Sequence, residues 1–292
     1  MQAVLFYLQL PFLYLLSVLP FPLLYLFSDF VYVLLYYVIG YRKGIVKQNL
    51  QRSFPQKTGK EIHALRKAYY HYFCDLFLET FKTLTISKKA MLRHCYMTPE
   101  TIGLFDKLDA EKQSCIIVMG HFGNWEWGGN TFSLSCKQQL YVIYHPVSNK
   151  HFDSLLKNMR QRFATRLIPM KETFREMMAN RHHVSATAFI ADQTPPPENA
   201  YWTTFLNQDT PVFWGTERIA RKLNYPVIYT SIHRIRRGYY EMRAEILCEN
   251  PSAAADGEIS QLHTRRLEQD IINQPEIWLW SHRRWKHRRP EK

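Results

Sequence analysis

Between Met1 and Tyr41 the chain carries a single charged side chain, Asp29, so all 38 Lys and Arg fall in residues 42–292. An uncharged head on a basic body is the feature that most limits the fold, because so apolar a stretch must be buried in protein or in lipid. Val4 to Phe27 is an almost continuous apolar run, about 36 Å long if helical, against a hydrocarbon core of roughly 30 Å. Phe30 to Ile39 continues it beyond Asp29. Pro11, Pro20 and Pro22 interrupt the first run, which leaves open a kinked span and an anchor continued by an interfacial helix. A cleaved signal peptide fits poorly: there is no basic leader or small-residue cleavage site, and the apolar pattern simply continues. Arg42, Lys43, Lys47 and Arg52 follow, and the positive-inside bias places the body on the cytoplasmic side. The expected organisation is a membrane anchor over residues 1–41 and one functional domain over 42–292.

The body reads as α/β. Ile62, Leu65, Tyr69, Tyr72, Phe73, Leu76 and Phe77 recur at helical spacing and predict a long amphipathic helix from Glu61 to Leu84. Ser114 to Met119 is a short apolar run ending at Gly120, the pattern of a buried strand. Leu140–Tyr144, Val184–Ile190, Pro226–Ile232 and Tyr239–Leu247 are further strand candidates. His151–Phe163, Lys171–Asn180, Gly215–Leu223 and Ile259–Asn273 are helix candidates. This alternation predicts a mainly parallel or mixed central sheet flanked by helices, with the N-terminal helical anchor added. Pro195-Pro196-Pro197 breaks the pattern, and Gln193 to Pro211 is expected to be a long loop after a strand end. Five scattered cysteines without a CxxC pair fit a reducing compartment and argue against a cysteine-ligated zinc.

One motif stands out for chemistry. Gly120-His121-Phe122-Gly123-Asn124-Trp125-Glu126 follows the strongest strand candidate. With 12 His and 25 acidic residues, about one His-x4-Glu pair arises by chance, and a second does occur at His263 and Glu268. There a five-residue step within a polar, Arg-rich helix turns the two onto different faces, and both are expected on a solvated helix. His121 instead sits at a strand-to-helix turn, where Glu126 in the first helical turns converges with it. A carboxylate on one imidazole nitrogen fixes the tautomer and raises the basicity of the other. Such a pair can take a proton from an alcohol that attacks an activated acyl group, with no enzyme nucleophile if the donor is a thioester. The chain has no G-x-S-x-G elbow, P-loop or G-x-G-x-x-G.

These residues resemble the H-x4-[DE] signature of the bacterial lipid A biosynthesis (lauroyl/myristoyl) acyltransferase family, within the wider lysophospholipid acyltransferase group. Further matches come in the family's order. Tyr144-His145-Pro146 with Asn149 resembles its Tyr-Arg-Pro…Asn segment, Met159-Arg160 its Met-Arg, Ala191-Asp192-Gln193 its Pro-Asp-Gln, and Phe213-Trp214-Gly215 its Phe-Phe-Gly. Pro275 to Lys286 is similar to its C-terminal aromatic-basic segment. His145 departs from the family's usual Arg, and Thr216-Glu217-Arg218 from its small, Thr-rich stretch.

The resemblance implies transfer of a fatty acyl chain from acyl carrier protein to a hydroxyl of a lipid A precursor at the inner membrane, without a metal or resident cofactor. His121 is then the general base and Glu126 its orienting partner. Arg160 contacts a phosphate or the oxyanion, Asp192 and Gln193 shape the pocket, and Phe213 and Gly215 line the acyl groove. Asn124 reads better as a helix cap than as a substrate contact. The basic body suits anionic lipid head groups and an acidic carrier protein. In the tail from Ser281 to Lys292, the basic residues with Trp278, Trp280 and Trp285 suggest docking on the membrane surface. Two rival readings stand beside this one: acylation of another lyso-phospholipid, aminolipid or glycolipid, and a membrane-tethered polyanion-binding module. No nucleic-acid motif supports the latter.

Overall fold

The computed structural model describes residues 2–289; Pro290 to Lys292, the end of the basic tail, lie outside it. The head is two helices, not one. Helix α1 (Gln2–Val18) stops before Pro20, and α2 (Phe21–Val33) starts after it, with Pro22 in the first turn, where no backbone donor is needed. A π-helical turn, Leu34–Ile39, extends α2 and ends on Gly40 at φ 68°, a left-handed position that glycine adopts without strain. Helix α3 (Lys43–Ser53) follows, then α4 (Gly59–Lys82), whose start is fixed by a reciprocal capping box between Thr58 and Glu61. Helices α1 and α2 pack along α4, whose Leu78 and Phe81 sit among Leu16, Leu24, Phe6 and Leu13.

Beyond α4 come α5 (Lys88–His94), β1 (Cys95–Met97), α6 (Pro99–Ala110), β2 (Cys115–Met119), α7 (Trp125–Ser135), β3 (Gln139–Tyr144) and α8 (Lys150–Gln161). Then follow β4 (Arg166–Pro169), α9 (Thr173–Ala179), β5 (Ser185–Ile190), β6 (Ala200–Phe205), β7 (Gln208–Phe213), α10 (Gly215–Leu223), β8 (Val227–Arg236), β9 (Tyr239–Cys248) and α11 (Glu258–Asn273). Seven strands form one sheet in the order β1-β9-β8-β2-β5-β3-β4. All neighbours are parallel except β8 and β9, so the sheet is mixed and mainly parallel, as the alternation predicts. Every residue of β2 is buried, which marks a central strand covered on both faces. The five strand and five helix candidates all form, with ends moved by a few residues.

One expectation fails here. The stretch Gln193–Pro211 is not a loop throughout: β6 and β7 make an antiparallel hairpin closed by Leu206 and Asn207, both at positive φ. That is the two-residue turn geometry of tight hairpins, reached without a glycine, so the usual signal is missing. Pro211 is tolerated because the ribbon has only two strands.

The register of the parallel strands places the site. Met119 at the end of β2 pairs with Ile190 at the end of β5, and the Ala191 amide still donates to the Met119 carbonyl at 3.0 Å. Two residues further along each chain are His121 and Asp192, which therefore emerge side by side. Strand β3, on the other flank of β5, ends at Tyr144, with His145 the next residue. The carboxyl ends of adjacent parallel strands are where open α/β sheets build their crevices.

Candidate active site

His121 is held by a turn with no spare room. A side chain on Gly120 would place its Cβ 2.7 Å from Leu267 and 3.2 Å from an Asp192 carboxylate oxygen. Gly123 has φ +63°, and a Cβ there would lie 1.7 Å from the Ile232 carbonyl. Only glycine allows the chain to cross so close to β8 and turn into α7. Asn124 caps that helix, as expected: its carbonyl oxygen accepts from the Trp127 amide at 3.0 Å, while its NH2 donates to buried Glu79 at 2.8 Å.

The imidazole's partner is Asp192. Its Oδ1 lies 2.5 Å from His121 Nδ1, and its Oδ2 accepts from the His121 amide and from the Trp278 indole, each at 2.8 Å. An ionised carboxylate only accepts, so Nδ1 carries the ring proton and Nε2 is left as the basic nitrogen. Burial by itself would raise the Asp192 pKa. The His121 ring and its hydrogen bonds, with the buried Arg284 guanidinium, more than offset this and hold it well below the usual carboxylate range. Gln193 Nε2 lies 3.2 Å from His121 Nε2, an amide donor resting where a substrate hydroxyl would sit.

Glu126, expected to orient the ring, bonds to Arg160 instead. Arg160 Nε and Nη2 reach the two Glu126 oxygens at 2.9 and 2.5 Å, a bidentate pair. Burial works against Glu126 ionising, but the Arg160 charge and hydrogen bonds, with a smaller contribution from His121, keep its pKa lowered. Glu126 sits in the first turn of α7 and faces outward to α8, whereas Asp192 approaches the ring from the strand beside it.

His121 and the Glu126–Arg160 pair border one cavity of about 280 Å³, lined also by Gln193, Phe213 and His145 among others. A second, mostly apolar chamber of about 160 Å³ shares Ile143, Met170, Ile190 and Phe213 with the first and continues past Gly215, Thr216 and Ile219. Of the site residues expected from sequence, five therefore line the first cavity. Gly215 lines the second, and Asp192 stands buried behind His121, with 4% of its surface accessible.

Trp278 and Arg284 stand beside Asp192, whereas the sequence suggests a place for this segment on the membrane surface. Trp278 and Trp280 are almost wholly buried, edge to face at 4.7 Å, so neither is available for membrane docking, while Trp285 packs against Trp278 and Phe205 and stays partly exposed. Arg284 is also buried, over the Phe205 ring, and burial pushes its pKa down to about 10 against the pull of Asp192. Trp278, Trp280 and Arg284 thus fold inward behind the imidazole, while Arg283, Lys286, Arg288 and Arg289 stay exposed. The signal was the segment's resemblance, not its charge. The rival pair His263 and Glu268 stays apart, as expected from its spacing: Glu268 takes the Leu206 amide and Arg265. His263 is not solvated, however. It lies on the inner face of α11, and burial pushes its pKa down to about 4.

A catalytic-type imidazole at the end of a parallel strand, with no serine or cysteine nucleophile among the cavity-lining residues, fits direct acyl transfer. The chain matches the family described as bacterial lipid A biosynthesis acyltransferase over residues 1–287. It belongs to this family. The protein is accordingly an acyltransferase. No curated protein matches the chain.

Proposed function

We propose that the protein moves a fatty acyl chain from an acyl-carrier-protein thioester to a hydroxyl of a lipid A precursor, at the cytoplasmic face of the inner membrane. The observation that carries this reading is the imidazole with its Nδ1 proton committed to Asp192 and its Nε2 facing an acyl-sized double chamber. The acceptor hydroxyl displaces the Gln193 amide and donates its proton to Nε2 as its oxygen attacks the thioester carbonyl. Asp192 stabilises the imidazolium that forms. The tetrahedral oxyanion collapses, the C–S bond breaks, and the imidazolium returns the proton to the departing thiolate, so the base is regenerated. Arg160 uses Nε and Nη2 on Glu126, which leaves N–H groups of its guanidinium for a phosphate or for the oxyanion. Glu126 positions that arginine. Phe213 and Gly215 flank the acyl chain in the second chamber.

A second acceptor is favoured by one feature. His145 stands on the cavity wall where the family usually has Arg, which lowers the positive charge facing the acceptor. A lipid hydroxyl acceptor with fewer phosphates, such as a lyso-phospholipid or aminolipid, fits that difference.

The test is turnover of purified protein with defined acyl-carrier-protein and coenzyme A thioesters and a panel of lipid acceptors, read by mass spectrometry. His121→Ala is expected to lower kcat about 10²–10⁴-fold with an unchanged melting temperature, the usual size of a general-base effect. Near-normal turnover in that variant would falsify the mechanism. Transfer confined to a non-lipid A acceptor would keep the mechanism and replace the substrate.

A further inference from the structure

The head rests along the body for its whole length, and that geometry bears on how it meets a membrane. On α1, Phe6 packs against Phe152 of α8 with ring centroids 5.0 Å apart. At the α1–α2 junction the Ser17 and Leu19 carbonyls accept from buried Lys82 at 2.7 and 2.6 Å. Along α2, Tyr25 donates to Glu79 and Ser28 to Asp75, each at 2.7 Å. Asp29 takes Arg237 Nη2 at 2.6 Å, and Tyr32 stacks on His71 with centroids 3.5 Å apart. In the π turn, Tyr36 accepts from Arg66 at 3.2 Å. Polar contacts with the α/β body thus run from residue 17 to residue 36 without a gap longer than a turn or two.

The opposite faces of the same helices are bare. Leu5, Leu8 and Leu15 on α1, and Leu26, Phe30 and Val38 on α2 and its extension, are each more than half exposed. Most of the large apolar side chains that stand exposed among the described residues belong to these two helices. A soluble surface rarely carries so large a contiguous apolar patch.

By length alone Phe21–Ile39 is long enough to cross a bilayer. Crossing would bring more than that helix with it. Asp29, near its midpoint, is tied to Arg237, which with Gly238 forms the turn between β8 and β9, and the Tyr25 hydroxyl sits so close to Gly238 that a Cβ there would collide with it. A spanning α2 would therefore carry a hairpin turn and a cluster of Asp29, Asp75, Arg234 and Arg237 to the bilayer centre. Non-helical backbone facing lipid and charges at that depth are both strongly disfavoured. We infer that α1 and α2 do not cross. They lie in the plane of the membrane, with their bare faces in the acyl region of one leaflet and the α/β body outside it.

The occupant of this surface is an anionic phospholipid leaflet. At the far end of the head, Lys43 lies over the Tyr36 ring at 4.3 Å and Lys67 over the Tyr37 ring at 5.8 Å, so basic groups edge the apolar face where lipid phosphates would lie. Aromatic rings with cations above them are the usual furniture of a membrane interface. The arrangement also has a consequence for substrate access. Leu155 and Met159 of α8 share an apolar cluster with Phe6 and Leu13 of α1, and Arg160, next in the chain, lines the cavity. A lipid acceptor could then slide sideways from the leaflet past α8 without leaving the membrane. The inference rests on the reading of the head as a membrane anchor, and not on the identity of donor or acceptor.

The test uses the full chain in vesicles of phosphatidylethanolamine and phosphatidylglycerol. Cys136 and Cys248, the two partly exposed thiols, are replaced by Ser, and a nitroxide is attached singly at Leu8→Cys, Leu15→Cys, Leu26→Cys, Phe30→Cys and Val38→Cys. Immersion depth is measured by power saturation with oxygen and a nickel chelate. All five labels are expected at shallow depth in one leaflet, within about 10 Å of its phosphates. A depth that peaks at residue 30 and falls again toward residue 38 on the far side would establish a span and overturn the inference. Water-like accessibility at all five would overturn it by showing that lipid does not cover this face. Acyl transfer by the same labelled proteins separates the outcomes: an active enzyme with a spanning profile contradicts the topology alone, while an inactive one with the in-plane profile contradicts the proposed function alone.

Discussion

Two carboxylates flank one imidazole, and they have been given different work. Asp192 arrives from 71 residues away, at the end of the neighbouring parallel strand, and its two oxygens take the ring N–H, a backbone amide and an indole. Glu126 is five residues from His121 in the chain, yet both its oxygens go to Arg160 on α8. The side chains also differ in exposure, 3% for Asp192 against 14% for Glu126. The buried group is placed to fix a tautomer; the one facing the cavity is placed to hold a cation where a substrate can reach it. Closeness in sequence is a poor guide to which acid orients a histidine when the strand register has already brought another to the same place.

The sharpest way to break this comparison is to neutralise each acid in turn. Asp192→Asn is expected to lower kcat about 10²-fold or more with little change in KM, because the ring loses its anchored tautomer and the imidazolium its counter-charge. Glu126→Gln is expected to cost about 10-fold, mainly in KM, because Arg160 stays charged but loses one arm of its fork. Steady-state kinetics of the two variants across pH distinguishes them; the opposite ranking would return the orienting role to Glu126. A smaller effect tests the chamber on the donor side of the cavity. Thr216→Phe should shift donor preference several-fold toward shorter acyl chains, read from competition between thioesters of different length; an unchanged preference would place the acyl chain elsewhere.

The smallest effect concerns the ground behind Asp192. Burial pushes the pKa of both His263 and His282 down to about 4, against about 6.5 when unfolded. Between these values the unfolded chain binds more protons than the folded one, so stability is retained above about pH 6.5 and lost as pH falls toward 4. His263→Gln should flatten that loss by something on the order of 1–3 kcal/mol, measured by urea unfolding at pH 7 and pH 4.5. An equally steep loss in the variant would show that His263 does not titrate on unfolding.

Much of the architecture was legible because its signals are local. Cys115–Met119 is apolar at every position as a doubly covered strand must be, and Gly120 to Asn124 announces a tight strand-to-helix turn. Asn124 was readable as a cap for the same reason. What escaped is what depends on distant pairing. The hairpin of β6 and β7 turns through Leu206 and Asn207, residues that carry no hairpin spelling. The partner of His121 follows from the match of Met119 with Ile190, which no spacing within one segment reveals. Trp278, Trp280 and Arg284 of the C-terminal segment look like surface chemistry by composition, yet they close the core behind the His121–Asp192 pair. The head is a related case: its apolarity was plain, but the face that bonds to Glu79, Asp75 and Arg237 appears only once α2 is laid on the body.

Which acid accepts the His121 Nδ1–H decides the work of each carboxylate. Nitrogen-15-edited NMR of the imidazole reads this without turnover: a strongly deshielded Nδ1 proton is predicted in the wild type, retained in Glu126→Gln and lost in Asp192→Asn. A resonance that survives in Asp192→Asn and vanishes in Glu126→Gln would contradict the assignment to Asp192.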